Sequence, residues 1–392
     1  MVFSKASFRR DVGATIHASP LIGVSYIPLS HGSDRIRLWE FLSNGGRVGF
    51  ATYAASNWID HETVKKDQLL HASSSSSNNV ECLLNDIHAI RPTAFAGPPR
   101  IWSGLHHLFN QRFAHEHRQE EGEGEDEDDE KKKQKERVRQ QLLDLFGPNL
   151  AFVCTGGAPI SPTVKQFARW FFPEHVRFAE SYGATECGAI TEDERAMAGV
   201  DIRLRSLADV GLPAGYGEIL VKTSTMSSGY LDPELTKAAF DDDGYFHTGD
   251  VGKYFRDEKD EKEGERLQIV ERVGNVLFWK GEIILPTQLE ASFQRSKLVR
   301  DVCILLLSSS QTLVFLVQTA SSNTSMEDLK TDFLSLEPDL FACSSDGQSP
   351  VVLISPCEWT VENKLLNIHF KKNRPVLQSF ALSLINSSSN PK

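Results

Sequence analysis

Strand-length apolar runs alternate with helix-period stretches along the first half of the chain. GVSYIPL (23–29), RVGFATY (47–53) and NLAFVCTGG (149–157) have the near-continuous apolar character of buried strands, and PTVKQFARWF (162–171) spaces its apolar residues as one face of a helix. Such alternation predicts a parallel α/β sheet. Downstream, GEILVKT (217–223), GYFHTGDVGKYF (244–255) and RLQIVERV (266–273) are short strands punctuated by Gly and Asp, with little helix between them. They predict a small β-rich subdomain. After Arg272 the pattern resets to IILPTQLEASFQRS, VRDVCILLLSSS, QTLVFLVQT and MEDLKTDFLSL, a mixed α+β module of roughly a hundred residues.

Three polar runs interrupt this pattern. EHRQEEGEGEDEDDEKKKQKE (116–136) is an acidic block followed by a basic one, with almost nothing apolar. It reads as a solvated, mobile insertion, because such a run buries too little surface to offset its ordering entropy; contact with a protein partner is the alternative. HASSSSSNNV (71–80) reads as a second low-complexity loop, RDEKDEKEGER (256–266) as a polar hairpin tip, and the final residues as a frayed tail. No internal repeat indicates a solenoid or propeller.

Composition narrows the function classes. Among 392 residues, 42 Lys+Arg against 53 Asp+Glu give a net charge of −11, which argues against a general nucleic-acid binder. With 40% hydrophobic and 24% charged residues the chain is a globular protein with material for more than one core. The six cysteines stand singly with no zinc-ligand spacing, as expected of free thiols in a reducing compartment. No secretory leader or membrane span is read from the sequence, so a cytoplasmic, soluble protein is expected, with peripheral contact on the cytosolic face of an organelle membrane left open.

Three constellations could carry chemistry. In CTGGAPISP (154–162) a strand runs into Gly156, Gly157 and Ala158 and then a helix; this junction permits close backbone approach to a flat or phosphorylated ligand, and a tight turn capped by Ser161 explains it equally. In ESYGATECG (180–188) Gly183 precedes a hydroxyl, Thr185, and a carboxylate, Glu186. Those groups suit a phosphate and a magnesium ion, and Tyr182 offers a stacking face; a capped helix start at Thr185 is the plainer reading. In DDDGYFHTGDVG (241–252) and IVERVGN (269–275), Asp250 could accept ribose hydroxyls with Arg272 adding bonds to ribose or phosphate. A structural salt bridge between the two is slightly favoured on chemistry alone.

Taken in order, TGGAPIS, SYGATE, GYFHTGD and IVERVGN resemble the adenylate-forming superfamily of acyl-CoA synthetases and related ligases. The resemblance extends to PLSH (28–31), IRPTAFAGPPRIW (90–102), GYLDPELTKAAF (229–240) and WTVENKLLNIHFKKNRPVL (359–377), covering nearly the whole chain. Within the superfamily these segments look most like long-chain fatty acyl-CoA synthetases and carboxylic acid reductase adenylation domains.

The resemblance implies ATP-dependent activation of a fatty, long-chain carboxylate to an acyl-adenylate and then a coenzyme A thioester, by an AMP-forming acid–thiol ligase using Mg²⁺. It implies that Gly156, Gly157, Ala158, Tyr182 and Gly183 border the adenine, that Thr185 meets phosphate, that Glu186 holds the metal, and that Asp250 and Arg272 hold the ribose. His31 would line the acyl site, Gly281 would face the coenzyme A pantetheine, and Gly274 would sit at the hinge of a rotating C-terminal lid. Gly274 reads equally as a plain loop glycine. Lys371 would contact the carboxylate and the α-phosphate, with adjacent Lys372 as the alternative if the motif slips by one.

The expected organisation is a partial α/β domain over 1–205, a β-rich subdomain over 206–272, a hinge at 273–275, an α+β lid over 276–385 and a tail over 386–392. The superfamily's Ser/Thr/Gly-rich loop ending in Pro-Lys-Gly does not precede PLSH, so the parallel sheet is expected to be incomplete at its N-terminus. The alternative to an active ligase is therefore a catalytically inactive truncated relative acting as an adenylate- or acyl-binding or interaction module.

Overall fold

A computed structural model describes residues 21–27, 32–51, 76–119, 127–256, 264–307, 310–341, 349–360, 362–367 and 371–388. The chain divides into two units, one formed by 1–202, 220–247 and 263–267 and the other by 203–219, 248–262 and 268–392.

In the first unit, β1 (Ile22–Ser25) is followed by α1 (Gly32–Ser43), β2 (Arg47–Phe50), α2 (Ser76–Ile90), β3 (Ala94–Gly97), α3 (Pro99–Gln119), α4 (Glu127–Asp144), β4 (Phe152–Gly156) and α5 (Pro162–Phe171). β1 and β2 pair in parallel, and β3, β4 and β5 (Arg177–Ala184) form a second parallel set in which Ala94 faces Phe152 and Phe152 faces Arg177. The expected parallel sheet is thus present, but it ends in an antiparallel extension, β6 (Gly188–Glu192) and β7 (Arg195–Ala196). α5 begins as its sequence dictates: the Ser161 side chain accepts from Val164 N–H and Pro162 occupies the first turn, where no N–H is needed. Its buried face, Val164, Phe167, Ala168 and Phe171, joins Phe95, Trp102, Phe146 and Phe172 in one aromatic-rich core. Trp102 is fully buried and donates its indole N–H to Gly97 O at 3.0 Å, which satisfies its polar edge.

Two polar runs differ from expectation. Residues 127–136 of the charged block are the start of α4, and its flank 116–119 is the end of α3; residues 120–126 lie outside those described. The cause is a stripe at four-residue spacing, Gln134, Val138 and Leu142, buried in spite of the surrounding lysines. Lys132 and Lys133 pair with Asp129 and Glu130 one turn earlier, and Lys135 and Arg139 lie over the Trp170 ring at 4.8 and 5.5 Å. Likewise α2 begins at Ser76, within the serine run, and carries Val80, Leu83, Leu84 and Ile87 into the core. The tip at 257–263 lies outside the described residues.

Residues 200–272 supply β8 (Val200–Ser206), β9 (Tyr216–Thr223), α6 (Pro233–Ala239), β10 (Phe246–Phe255) and β11 (Arg266–Arg272); the strands form a four-stranded sheet of order β11-β10-β9-β8.

The second unit continues through a short 3₁₀ turn (Val273–Asn275) to β12 (Leu277–Trp279), β13 (Glu282–Ile284), α7 (Pro286–Phe293), β14 (Val299–Leu307), β15 (Thr312–Thr319), α8 (Met326–Leu336), α9 (Pro338–Phe341), β16 (Val351–Ile354) and α10 (Arg374–Ser388). β14 and β15 are antiparallel, and β15 and β16 parallel. The run CILLL is apolar throughout because this sheet is covered on both faces. Val302, Ile304, Phe315 and Val317 pack toward Phe293 and Phe333 of α7 and α8, whereas Cys303, Leu305, Val314 and Leu316 pack toward Leu377 and Ala381 of α10. No helix among the described residues is long and apolar enough to cross a membrane.

Candidate active site

In the first unit the site residues sit at the carboxyl ends of β4 and β5, where ligands of open α/β sheets collect. Gly156 ends β4, and a Cβ there would stand 2.6 Å from Ser181 O; the strands approach too closely for any side chain. Gly157 is exposed at the turn, with open space at its Cβ position, and Ala158 follows half-buried. Just before them the Thr155 hydroxyl is buried without a hydrogen-bond partner among the described residues.

Tyr182 and Gly183 belong to β5, paired with Thr191 and Ala189 of β6. Thr185, Glu186 and Cys187 form the connection between Ala184 and Gly188, which face each other. Thr185 therefore caps no helix: it lies exposed at a hairpin tip. A Cβ at Gly32, the first residue of α1, would come within 3.2 Å of its methyl group, so the residue following PLSH touches the Thr185 loop. His31 itself lies outside the described residues.

Glu186 and its loop are held from residues 225–230. Tyr230 donates its hydroxyl to Glu186 Oε1 at 2.7 Å, Ser227 N–H donates to Glu186 O at 2.7 Å, and the Thr225 hydroxyl donates to Cys187 O at 2.9 Å. Burial and the bond to Glu186 push the Tyr230 phenol up to about 12. A single carboxylate beside a hydroxyl is a hard-oxygen donor set of the kind that suits Mg²⁺, which keeps waters and substrate oxygens around one or two protein ligands. No group of three or more metal-ligating side chains occurs among the described residues, so nothing here forms an all-protein cage.

The second unit brings Asp250, Arg272 and Lys371 together. Asp250 is buried and pairs with Arg272 Nε at 2.8 Å, the salt bridge that its chemistry favoured, while the Arg272 side chain remains largely exposed. Thr248 fixes the carboxylate's strand: its hydroxyl donates to Ile219 O at 2.8 Å and accepts from Asp250 N–H at 3.1 Å. Gly249 N–H donates to Glu218, whose buried carboxylate is itself paired with Arg205. Lys371 is an exposed residue whose ammonium is crowded: partial burial and the charge of Arg272 hold its pKa below the ordinary lysine value, and Asp250 acts in the opposite direction.

Lys372, one residue on, is bound elsewhere. Its ammonium lies 2.8 Å from Glu290 and 3.0 Å from Asp301 and donates to Val302 O at 2.5 Å. Arg374 pairs with the other oxygen of Glu290 at 2.9 Å. Lys372 and Arg374 thus anchor the segment to β14 and α7, while Lys371 feels the charges of Arg272 and Asp250.

Gly274 lies in the 3₁₀ turn with open space at its Cβ position and an ordinary φ. Gly281 has φ +81 beside Lys280 at φ +55, the two-residue turn of the β12–β13 hairpin, so the turn alone demands glycine. Four contributors went unread in the sequence: Tyr230, Glu218, Glu290 and Glu271, whose carboxylate accepts from the Arg272 N–H at 2.9 Å. Tyr230 and Glu271 stand within matched segments, but Glu218 and Glu290 carried no signal apart from being carboxylates in apolar runs.

Residues 11–231 match the AMP-binding enzyme family, and the chain belongs to it. Its members are adenylate-forming enzymes. The chain is 29% identical to the carboxylic acid reductase of Mycobacterium tuberculosis over 92% of its length, and 25% identical to long-chain-fatty-acid–CoA ligase 1 of Homo sapiens over 92%. It spans only 29% of the former and 53% of the latter. Among solved structures, the adenylation domain of a Mycobacterium chelonae carboxylate reductase superposes with a TM-score of 0.70 at 25% identity, covering 98% of this chain and 56% of that one.

Proposed function

We propose that the protein activates a fatty, long-chain carboxylate with ATP, giving an acyl-adenylate and then a coenzyme A thioester. In the first step a carboxylate oxygen attacks the α-phosphorus, a C(O)–O–P linkage forms, and the bond to pyrophosphate breaks. In the second, the coenzyme A thiolate attacks the acyl carbon and AMP departs. Neither step needs a covalent enzyme intermediate, so the side chains act by positioning and charge.

One observation carries the reading: of two adjacent lysines, Lys372 is held in ion pairs with Glu290 and Asp301, while Lys371 stands within electrostatic range of Arg272 and Asp250. In this reading Asp250 and Arg272 take the ribose, and Lys371 meets the carboxylate and the α-phosphate as a mobile point charge. Gly156, Gly157, Ala158, Tyr182 and Gly183 border the base, Thr185 donates to phosphate, and Glu186 is the metal carboxylate. Mg²⁺, when bound, neutralises phosphate charge. Gly274 is the hinge of the lid, Gly281 meets coenzyme A and His31 the acyl chain. The likeness to long-chain acyl-CoA ligases supports coenzyme A as acceptor and a long-chain acid as substrate.

The test is product analysis with ATP, Mg²⁺, coenzyme A and palmitate. AMP and palmitoyl-CoA should form in equal amounts in the wild type and be lost in Lys371→Ala. Acyl-adenylate that accumulates without thioester would retain the first step and refute coenzyme A as acceptor.

A further inference from the structure

Tyr230 stands 44 residues along the chain from Glu186, yet its hydroxyl is the side-chain donor to the Glu186 carboxylate, at 2.7 Å. The tyrosine is itself fixed. Its backbone N–H donates to the Thr236 hydroxyl at 2.8 Å, and that hydroxyl stands 3.2 Å from Asp232 O, so the first turn of α6 holds the residue in place. The residues just before Tyr230 grip the Glu186 loop at two further points, through Ser227 and Thr225. A lone flexible carboxylate at a hairpin tip would sample several rotamers; here one of its oxygens is pinned from across the chain.

We propose that Tyr230 is a positioning residue for the metal carboxylate, orienting Glu186 for a divalent cation through the Tyr230 hydroxyl bond to Oε1. The inference rests on the reading of Glu186 as the metal-binding carboxylate. Tyr230 touches neither nucleotide nor cation in this role; it removes the rotational freedom that the carboxylate would otherwise lose on binding. Loss of such a supporting bond costs about 10- to 100-fold in metal affinity where it has been removed elsewhere.

The experiment measures Mn²⁺ binding by electron paramagnetic resonance to the full 392-residue chain with a non-hydrolysable ATP analogue, for wild type, Tyr230→Phe and Glu186→Gln. Phenylalanine keeps the ring and removes only the hydroxyl; metal-free binding of the analogue serves as the control for folding. The expected result is Mn²⁺ affinity about 10-fold weaker in Tyr230→Phe, with analogue affinity unchanged in that variant, and Mn²⁺ affinity weaker still in Glu186→Gln. Wild-type affinity in Tyr230→Phe alongside loss in Glu186→Gln would overturn the positioning role and leave Glu186 standing. Wild-type affinity in both variants would overturn the metal role of Glu186 itself, and the inference with it.

Discussion

Replacing each member of the Lys371–Lys372 pair by alanine should produce opposite phenotypes. Lys372 is held by two carboxylates and a carbonyl in a buried setting, where burial opposes its charge and the attraction of Asp301 and Glu290 outweighs that opposition. Removing one partner of a buried pair costs on the order of 3–5 kcal/mol. Glu290 keeps Arg374 and the Ile304 N–H, so the low end applies, about 3 kcal/mol. For a unit of this size that lowers Tm by roughly 6–12 °C. Lys371 is exposed, and its removal should change stability by no more than about 0.5 kcal/mol while abolishing adenylation. Calorimetry and pyrophosphate exchange on both variants decide the matter. Loss of exchange in Lys372→Ala at unchanged Tm would refute the reasoning and move the catalytic assignment by one residue.

Three further outcomes follow from the geometry. Because the Lys371 pKa lies below the ordinary lysine value of about 10.4, adenylation should fall on the alkaline side with a midpoint below that value, and Lys371→Arg should move this limb upward; an unmoved limb would show that another group titrates. The Lys372 pKa is raised, so its stabilisation is fully present below about pH 10.4 and declines only as pH climbs toward its native value; the Tm gap between wild type and Lys372→Ala should narrow above that pH. Glu271 is buried, and its carboxylate accepts from Arg272 N–H, Asn275 Nδ2, and the Thr287 hydroxyl and N–H, at 2.7–3.2 Å, joining residues on both sides of the Val273–Asn275 turn. Glu271→Ala strands those donors and should cost about 1–3 kcal/mol in denaturant unfolding, with amide exchange rising over 273–287; exchange unchanged there would refute the brace.

Much of the fold was legible because burial on both faces leaves an unmistakable apolar run, as in β14 and β15, and because α5 announces itself through Ser161 and Pro162. The helix α4 was not, since charge dominates the composition of its first half and the stripe of Gln134, Val138 and Leu142 emerges only when every fourth residue is followed through the lysines. The antiparallel turn at Thr185–Cys187 was hidden for another reason: glycine and threonine suit a helix start and a hairpin tip equally, and pairing to β6 decides. At the candidate site, Asp250 and Arg272 were readable as a complementary pair because opposite charges at two strand ends have few other partners. The choice between Lys371 and Lys372 was not, because it depends on Glu290, 82 residues away from Lys372 in sequence. Tyr230 was unreadable as a support for Glu186 for the same reason, its partner lying 44 residues off.

The central claim is that this chain performs adenylation with Lys371 as the mobile cation, and carboxylate-dependent ATP–pyrophosphate exchange across a panel of fatty acids tests it most directly. The account predicts Mg²⁺-dependent exchange by the purified 392-residue chain, strongest with long-chain acids and abolished in Lys371→Ala. A folded chain that binds ATP and the acid yet exchanges no pyrophosphate above the Lys371→Ala control would contradict it.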